Sequence, residues 1–312
     1  MQLWLGQVFS ILVVTATGCA TDTALSHNKQ GVVLHQKGNL DGAIAEYRTA
    51  LRLDPNLAKA HNNLGVALQA KGDVDGAITE FRTALRLDPN SVKAHDNLGA
   101  SLQVKGDLEG AIAEHRTALR LNPNSVDTHF NLGIALQAKG DVDGAITEFR
   151  TALRLDPNYV NAHYNLARAF WAKGDWDAAI AENGAFMRLN PNDAESHTNL
   201  GNALAKKGNW DGAIAEYRTA LRLNPNDGNT HNGLGYALWT KGDLEGAVAE
   251  YRAAIRLDPK HPRSHYNLGT ALRAQGEKGE AKEELTEAFR LLPGTPDKEI
   301  EDDIKQQLRE LE

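Results

Sequence analysis

Residues Ala67 to Asn90 read ALQAKGDVDGAITEFRTALRLDPN, and the same letters return without a change from Ala135 to Asn158. Prolines at 55, 89, 123, 157, 191, 225, 259 and 293 carry that period of 34 residues through most of the 312-residue chain. A fixed period of this length marks an array of one supersecondary unit rather than one or two globular domains. Registered on the prolines, the units run 24–57, 58–91, 92–125, 126–159, 160–193, 194–227, 228–261 and 262–295. Because the units are near copies, specificity falls to the slots at which they differ.

Each unit reads as two short helices. In the second unit His61, Leu64 and Leu68 share one face of a first helix at spacings of three and four. Gly72 then stands where a helix end favours a left-handed residue, and Asp73 offers a carboxylate to cap a second helix. That second helix, Val74 to about Leu87, turns Ala77, Ile78, Phe81, Ala84 and Leu85 inward, and Asp88-Pro89-Asn90 ends it. Gly65, Gly99, Gly133, Gly201, Gly235 and Gly269 recur inside first helices, where glycine costs about 1 kcal/mol against alanine. Close backbone approach is the expected reason, with the slot of Ala77 as the facing position.

Hydrophobic residues make up 41% of the chain but aromatics only 6%, which suits many small interfaces better than one large core. A formal net charge of -7 without any basic run argues against a nucleic-acid partner. The single cysteine, Cys19, leaves no internal disulfide and no cysteine-rich zinc site. Neither a glycine-rich phosphate loop after a strand, nor G-x-S-x-G, nor H-E-x-x-H is present, so no catalytic residue, metal site or cofactor is expected. Histidines 27, 61, 95, 129, 163, 197, 231 and 265 share one slot, but successive copies fall on helices whose axes are roughly 8 to 10 Å apart, too far for one zinc ion. They are expected to be packing residues, and to soften the array on protonation if buried neutral.

A 34-residue unit carrying Leu64-Gly65, Leu68, Gly72, Ala77, Phe81, Ala84 and Pro89 closely resembles the tetratricopeptide repeat, with histidine in the slot usually held by a large aromatic. The resemblance covers residues 24–295. It implies an all-α, right-handed superhelical solenoid of eight helix-turn-helix repeats whose first helices line a concave groove for peptides or partner proteins. Stacked hairpins bury their faces only against neighbours, so the ends need polar covers. Residues 296–312 read as a C-terminal capping helix with Ile300, Ile304, Leu308 and Leu311 on one stripe. Lys282 and Gln30 put polar side chains at apolar slots of the two end repeats.

Met1 to Ala20 contain no charged residue, and the apolar stretch from Leu3 to Ala16 falls short of the roughly 20 residues a spanning helix needs. It runs into Thr15-Ala16-Thr17-Gly18-Cys19, which resembles the bacterial lipobox. That resemblance implies a signal peptide over 1–18, lipidation at Cys19, a linker over 19–23, and a cell-envelope location with the membrane reached through the lipid anchor. Without processing the location would be cytoplasmic.

The other face of the first helix carries Lys59, Asn63, Val66 and Ala70 at spacings of four, three and four. Its most regular member is asparagine: Asn63, Asn97, Asn131, Asn165, Asn199 and Asn267, broken by Lys29 and Gly233. An amide both donates and accepts, so such a row can pair with the backbone of an extended chain, or alternatively with neighbouring helices. Anchors are sought among Phe130, Ile134, Tyr164, Arg168, Trp171, Tyr236, Trp239, Tyr266 and Arg273, unless these are buried between hairpins. The fifth unit departs most, with Asn183, Gly184 and Phe186 in the second helix, which predicts either a local bend or pocket, or tolerated drift. The expected function is a non-enzymatic scaffold that holds extended peptides or partner proteins in the groove. The competing reading is a cytoplasmic adaptor or an accessory subunit of a glycosyl-transfer or secretion system.

Overall fold

The computed structural model describes residues 22–293 and 300–312. The expected signal peptide and Cys19 lie outside the described residues, as does the segment 294–299. Among the described residues there is no strand. Helix α1, over 22–36, forms a hairpin with α2 (Leu40–Leu53). It is followed by α3 (Ala58–Ala70) with α4 (Val74–Leu87), α5 (Val92–Lys105) with α6 (Leu108–Leu121), and α7 (Val126–Lys139) with α8 (Val142–Leu155). Then come α9 (Val160–Lys173) with α10 (Trp176–Leu189), α11 (Ala194–Lys206) with α12 (Trp210–Leu223), α13 (Gly228–Thr240) with α14 (Leu244–Leu257), and α15 (Pro262–Gln275) with α16 (Lys278–Leu291). A last helix, α17 (Glu301–Glu310), completes the order. The chain divides into two compact units, Met1–Pro157 and Asn158–Glu312, each holding four hairpins.

The turn inside each hairpin is written locally. Gly72 adopts φ +88°, and Asp73 N–H reaches back to the Leu68 carbonyl at 2.9 Å, which closes α3. The Asp73 carboxylate then accepts the Gly76 N–H at 2.9 Å and starts α4. Inside the hairpins the glycine slot differs from expectation. A Cβ on Gly65 would stand 2.6 Å from the Phe81 ring, and one on Gly133 2.5 Å from Phe149. The aromatic slot, not that of Ala77, therefore faces the glycine, because the flat ring is the bulky group that needs the missing Cβ. Gly31 meets Tyr47 in the same way, a member of the series that its sequence context does not single out.

The fifth hairpin keeps this arrangement by exchanging its parts. Ala167 occupies the glycine slot, buried Asn183 the aromatic slot, and buried Phe186 the alanine slot, with the Phe186 ring 5.6 Å from Tyr164. The α10 helix runs unbroken from Trp176 to Leu189.

The repeated histidine is a clasp between the two helices of its own hairpin. His61 Nδ1 lies 2.5 Å from Glu80 and its Nε2 lies 3.1 Å from the Pro55 carbonyl. A glutamate 19 residues on holds every other copy, from His27–Glu46 to His265–Glu284. The packing role stands, and at His61 and His265 the neighbours favour the protonated ring, which runs against softening on protonation there. The Glu80 bond raises the His61 pKa more strongly than burial lowers it. For His265 burial is the largest influence and lowers the pKa, yet the Glu284 and Pro259 bonds outweigh it and the net direction is upward.

The polar end slots behave as expected: Gln30 and Lys282 are exposed. Ile304 is fully buried and packs with Leu285, Ala288, Leu292 and Ile300, which makes α17 a cap on the last hairpin.

Candidate functional site

Within each unit the first helices of successive hairpins touch one another directly, whereas the second helices meet the next hairpin mainly through its first helix. The first-helix face is therefore the inner one, and the asparagine slots lie along it. In unit Met1–Pro157 the amides bridge hairpins: Asn63 Nδ2 donates to Asn28 at 3.0 Å, Asn97 to Asn62 at 3.0 Å, and Asn131 to Asp96 at 3.1 Å. The alternative weighed from sequence thus operates here, although each amide keeps a second N–H and its carbonyl oxygen for a ligand. Two crevices share Asn63. One of about 370 Å³ is lined by Asn28, Lys59, Asn62, Ser91 and Lys93, and one of about 260 Å³ by Val32, Tyr47 and Val66.

In unit Asn158–Glu312 the row is looser. Asn165 donates to the Asn161 carbonyl of its own helix at 2.9 Å. Asn199 and Asn267 are half-buried, and among the described residues no group takes up their amides. The contrast depends on the slot 35 residues earlier: Asn28, Asn62 and Asp96 are short acceptors, whereas Phe130 and Tyr164 stand there for Asn165 and Asn199, and for Asn267 the slot holds Asn232, whose Nδ2 donates to Ser264 at 2.6 Å.

The variable slots divide as well. Tyr164 donates to Glu195 at 2.5 Å and lies under the Arg168 guanidinium, 5.7 Å from its ring centre. Burial first, and then Glu195, push its pKa up to about 12. Trp171 stands edge-on to Trp176 at 4.8 Å. Phe130 packs on Phe149 at 5.8 Å. Tyr266 and Arg273 are occupied by the cap: Tyr266 donates to Asp303 at 2.8 Å, and Arg273 pairs with Glu310. Burial and the Asp303 bond push the Tyr266 pKa up to about 12. Those two candidate anchors are therefore engaged by the cap.

Tyr236 and Trp239 are different, being 48% and 36% exposed. Their rings stack at 6.0 Å, and Trp210 joins edge-on to Tyr236 at 5.8 Å. Beside them lies a crevice of about 370 Å³ lined by Trp239, Thr270, Arg273, Ala274, Lys278 and Leu311. Trp210, at the first turn of a second helix, escapes sequence reasoning because only its contact with the next hairpin brings it here. Among the described residues no group of three or more histidine, cysteine or acidic side chains is placed to hold a metal ion. None of the described helices is long and apolar enough to cross a membrane.

A family model described as TPR repeat matches residues 31–72, 104–140, 135–174, 201–242 and 240–276. Models described as Tetratricopeptide repeat match 58–91, 185–215 and 262–293. No curated protein matches the chain. Among solved structures, MamA is 27% identical with a TM-score of 0.50, over 52% of this chain and 95% of its own. PilF of Pseudomonas aeruginosa is 23% identical with a TM-score of 0.61, over 68% and 96%. YrrB, described as a TPR protein with an unusual peptide-binding site, is 22% identical with a TM-score of 0.53, over 59% and 95%. The matched repeats cover most of the chain, their period is that of the hairpins, and the chain belongs to the tetratricopeptide-repeat family.

Proposed function

We propose that the inner, first-helix face holds an extended peptide segment of a partner protein, and that the chain works as a binding scaffold rather than as a catalyst. The observation that carries this reading is the row of asparagines on that face, two of which, Asn199 and Asn267, have amides with no hydrogen-bond partner among the described residues, together with exposed Tyr236 and Trp239. Amides grip a peptide backbone without regard to its sequence, and aromatic rings select among side chains. The family and its solved neighbours support a protein-interaction scaffold, and the description of YrrB as peptide-binding favours a peptide ligand. Selection of binders from a random peptide library on the full chain tests it, followed by hydrogen exchange on the complex. Protection concentrated in first helices is expected, whereas protection confined to second helices would overturn the reading.

We further propose a bacterial-envelope location for the scaffold, held by a lipid at Cys19, on the strength of the apolar stretch that ends there. An intact mass of the chain recovered from host membranes is expected to begin at Cys19 with added diacylglycerol and acyl mass. An unmodified chain beginning at Met1 would remove the anchor and leave the adaptor reading in its place.

A further inference from the structure

Inside unit Asn158–Glu312 the amide row is interrupted at Gly233, with Asn199 and Asn267 at the same slot of the hairpins on either side. A Cβ on Gly233 would stand 2.9 Å from the Tyr217 ring. A tyrosine in that place does not by itself call for the gap, since Tyr47 and Tyr251 precede Asn63 and Asn267 at the same spacing. Asn232, one residue earlier, does not fill it. Its Nδ2 donates to Ser264 at 2.6 Å, and its Oδ1 is buried with no hydrogen-bond partner among the described residues.

Neither slot of α13 therefore offers an accessible amide oxygen to a peptide N–H, whereas Asn199 and Asn267 do so in α11 and α15. A peptide laid along the row loses least at the gap if its residue there has no N–H to pair. Among the common residues proline alone lacks that donor.

The same helix carries the exposed aromatic pair. The Tyr236 and Trp239 rings lie within 25° of parallel, and Trp210 abuts Tyr236 from the preceding hairpin. Exposed aromatic faces of this kind are what proline rings pack on where grooves read polyproline II segments. A ligand arginine or lysine also suits such faces, but the charged side chains of the adjoining crevice are Arg273, Lys278 and Glu310, and the one carboxylate is already paired with Arg273. The crevice thus has no excess of negative charge to draw a cation.

We propose that α13 is a proline subsite of the inner face: the partner segment places a proline over Gly233, packed on Tyr236 and Trp239, with its neighbours paired to the amides of Asn199 and Asn267. This inference rests on the peptide reading above. The test is selection from a random peptide library on the full chain and on a Tyr236→Ala, Trp239→Ala chain whose fold is checked by circular dichroism. Binders of the full chain are expected to share a proline at one position, enriched on the order of tenfold, and the enrichment is expected to vanish in the variant. A selected peptide with that proline changed to alanine is expected to bind the full chain on the order of tenfold more weakly. It is expected to regain part of the loss on a Gly233→Asn chain, in which the row is complete; this variant keeps both rings and so covers a folding failure of the first. Binders that protect first helices from hydrogen exchange but share no proline would overturn the subsite and leave the peptide reading intact. Proline enrichment undiminished in the Tyr236→Ala, Trp239→Ala chain, or an alanine peptide that binds the full chain as well as its parent, would overturn it too. Absence of binders, or protection confined to second helices, would remove the peptide reading and the subsite together.

Discussion

An imidazole whose two nitrogens both face acceptors satisfies both only when it carries two protons. His61, between Glu80 and the Pro55 carbonyl, is in that position, and so is His265 between Glu284 and Pro259. Both folded pKa values lie above the ordinary 6.5. Their contribution is therefore complete below about pH 6.5 and is lost as pH rises through the raised folded values. Melting temperature is expected to fall between pH 6 and 8.5, and to fall less steeply in a His61→Gln, His265→Gln chain; equal slopes would show that the clasps carry no proton linkage. A second residue-scale test concerns the ring beneath each glycine. Gly133→Ala gains about 1 kcal/mol of helix propensity but drives a methyl into Phe149, so a net loss of about 1–2 kcal/mol is expected in urea unfolding. Stabilisation instead would mean that the ring can move aside.

At the scale of single helices, the sequence is most readable where the cause is local. Gly72, Asp73 and the Asp88-Pro89-Asn90 break mark the observed ends of α3 and α4 to within about a residue, because caps and turns depend on neighbours in the chain. The facing partner of Gly65 and the acceptors of Asn63, Asn97 and Asn131 are not readable, since each depends on how one helix lies across another. The asparagine row is visible as a period, but which amides stay open is decided by the side chain at the adjacent slot of another repeat. The α10 helix shows the same division. Its exchanged ring is visible in sequence, but that Phe186 simply refills the space near Tyr164 is not. Gly184 in that helix has open space around it, so Gly184→Ala is expected to stabilise by roughly 0.5–1 kcal/mol, read as slower amide exchange across residues 178–189. No change, or faster exchange, would reveal a packing need that the geometry does not contain.

At the scale of the whole molecule, hairpins that touch only their neighbours within each unit confine damage to the place where it is done. The α17 helix closes one end, with Ile304 buried on Leu285 and with polar links from Tyr266, Thr270 and Arg273 to Asp303, Gln307 and Glu310. Ile304→Ala is expected to cost about 2–4 kcal/mol locally, speeding amide exchange in α15 and α16 while α3 to α6 remain as protected as before. Uniform loss of protection would instead indicate one cooperative block. At this scale the molecule is proposed to work by holding a peptide backbone on the open amides of its inner face. The most direct measurement is the affinity of a library-selected peptide for the full chain and for an Asn199→Ala, Asn267→Ala variant, whose lost amides have no hydrogen-bond partner among the described residues. An unchanged melting temperature with binding weakened on the order of tenfold is the expected result; unchanged affinity in a chain of unchanged stability would contradict it.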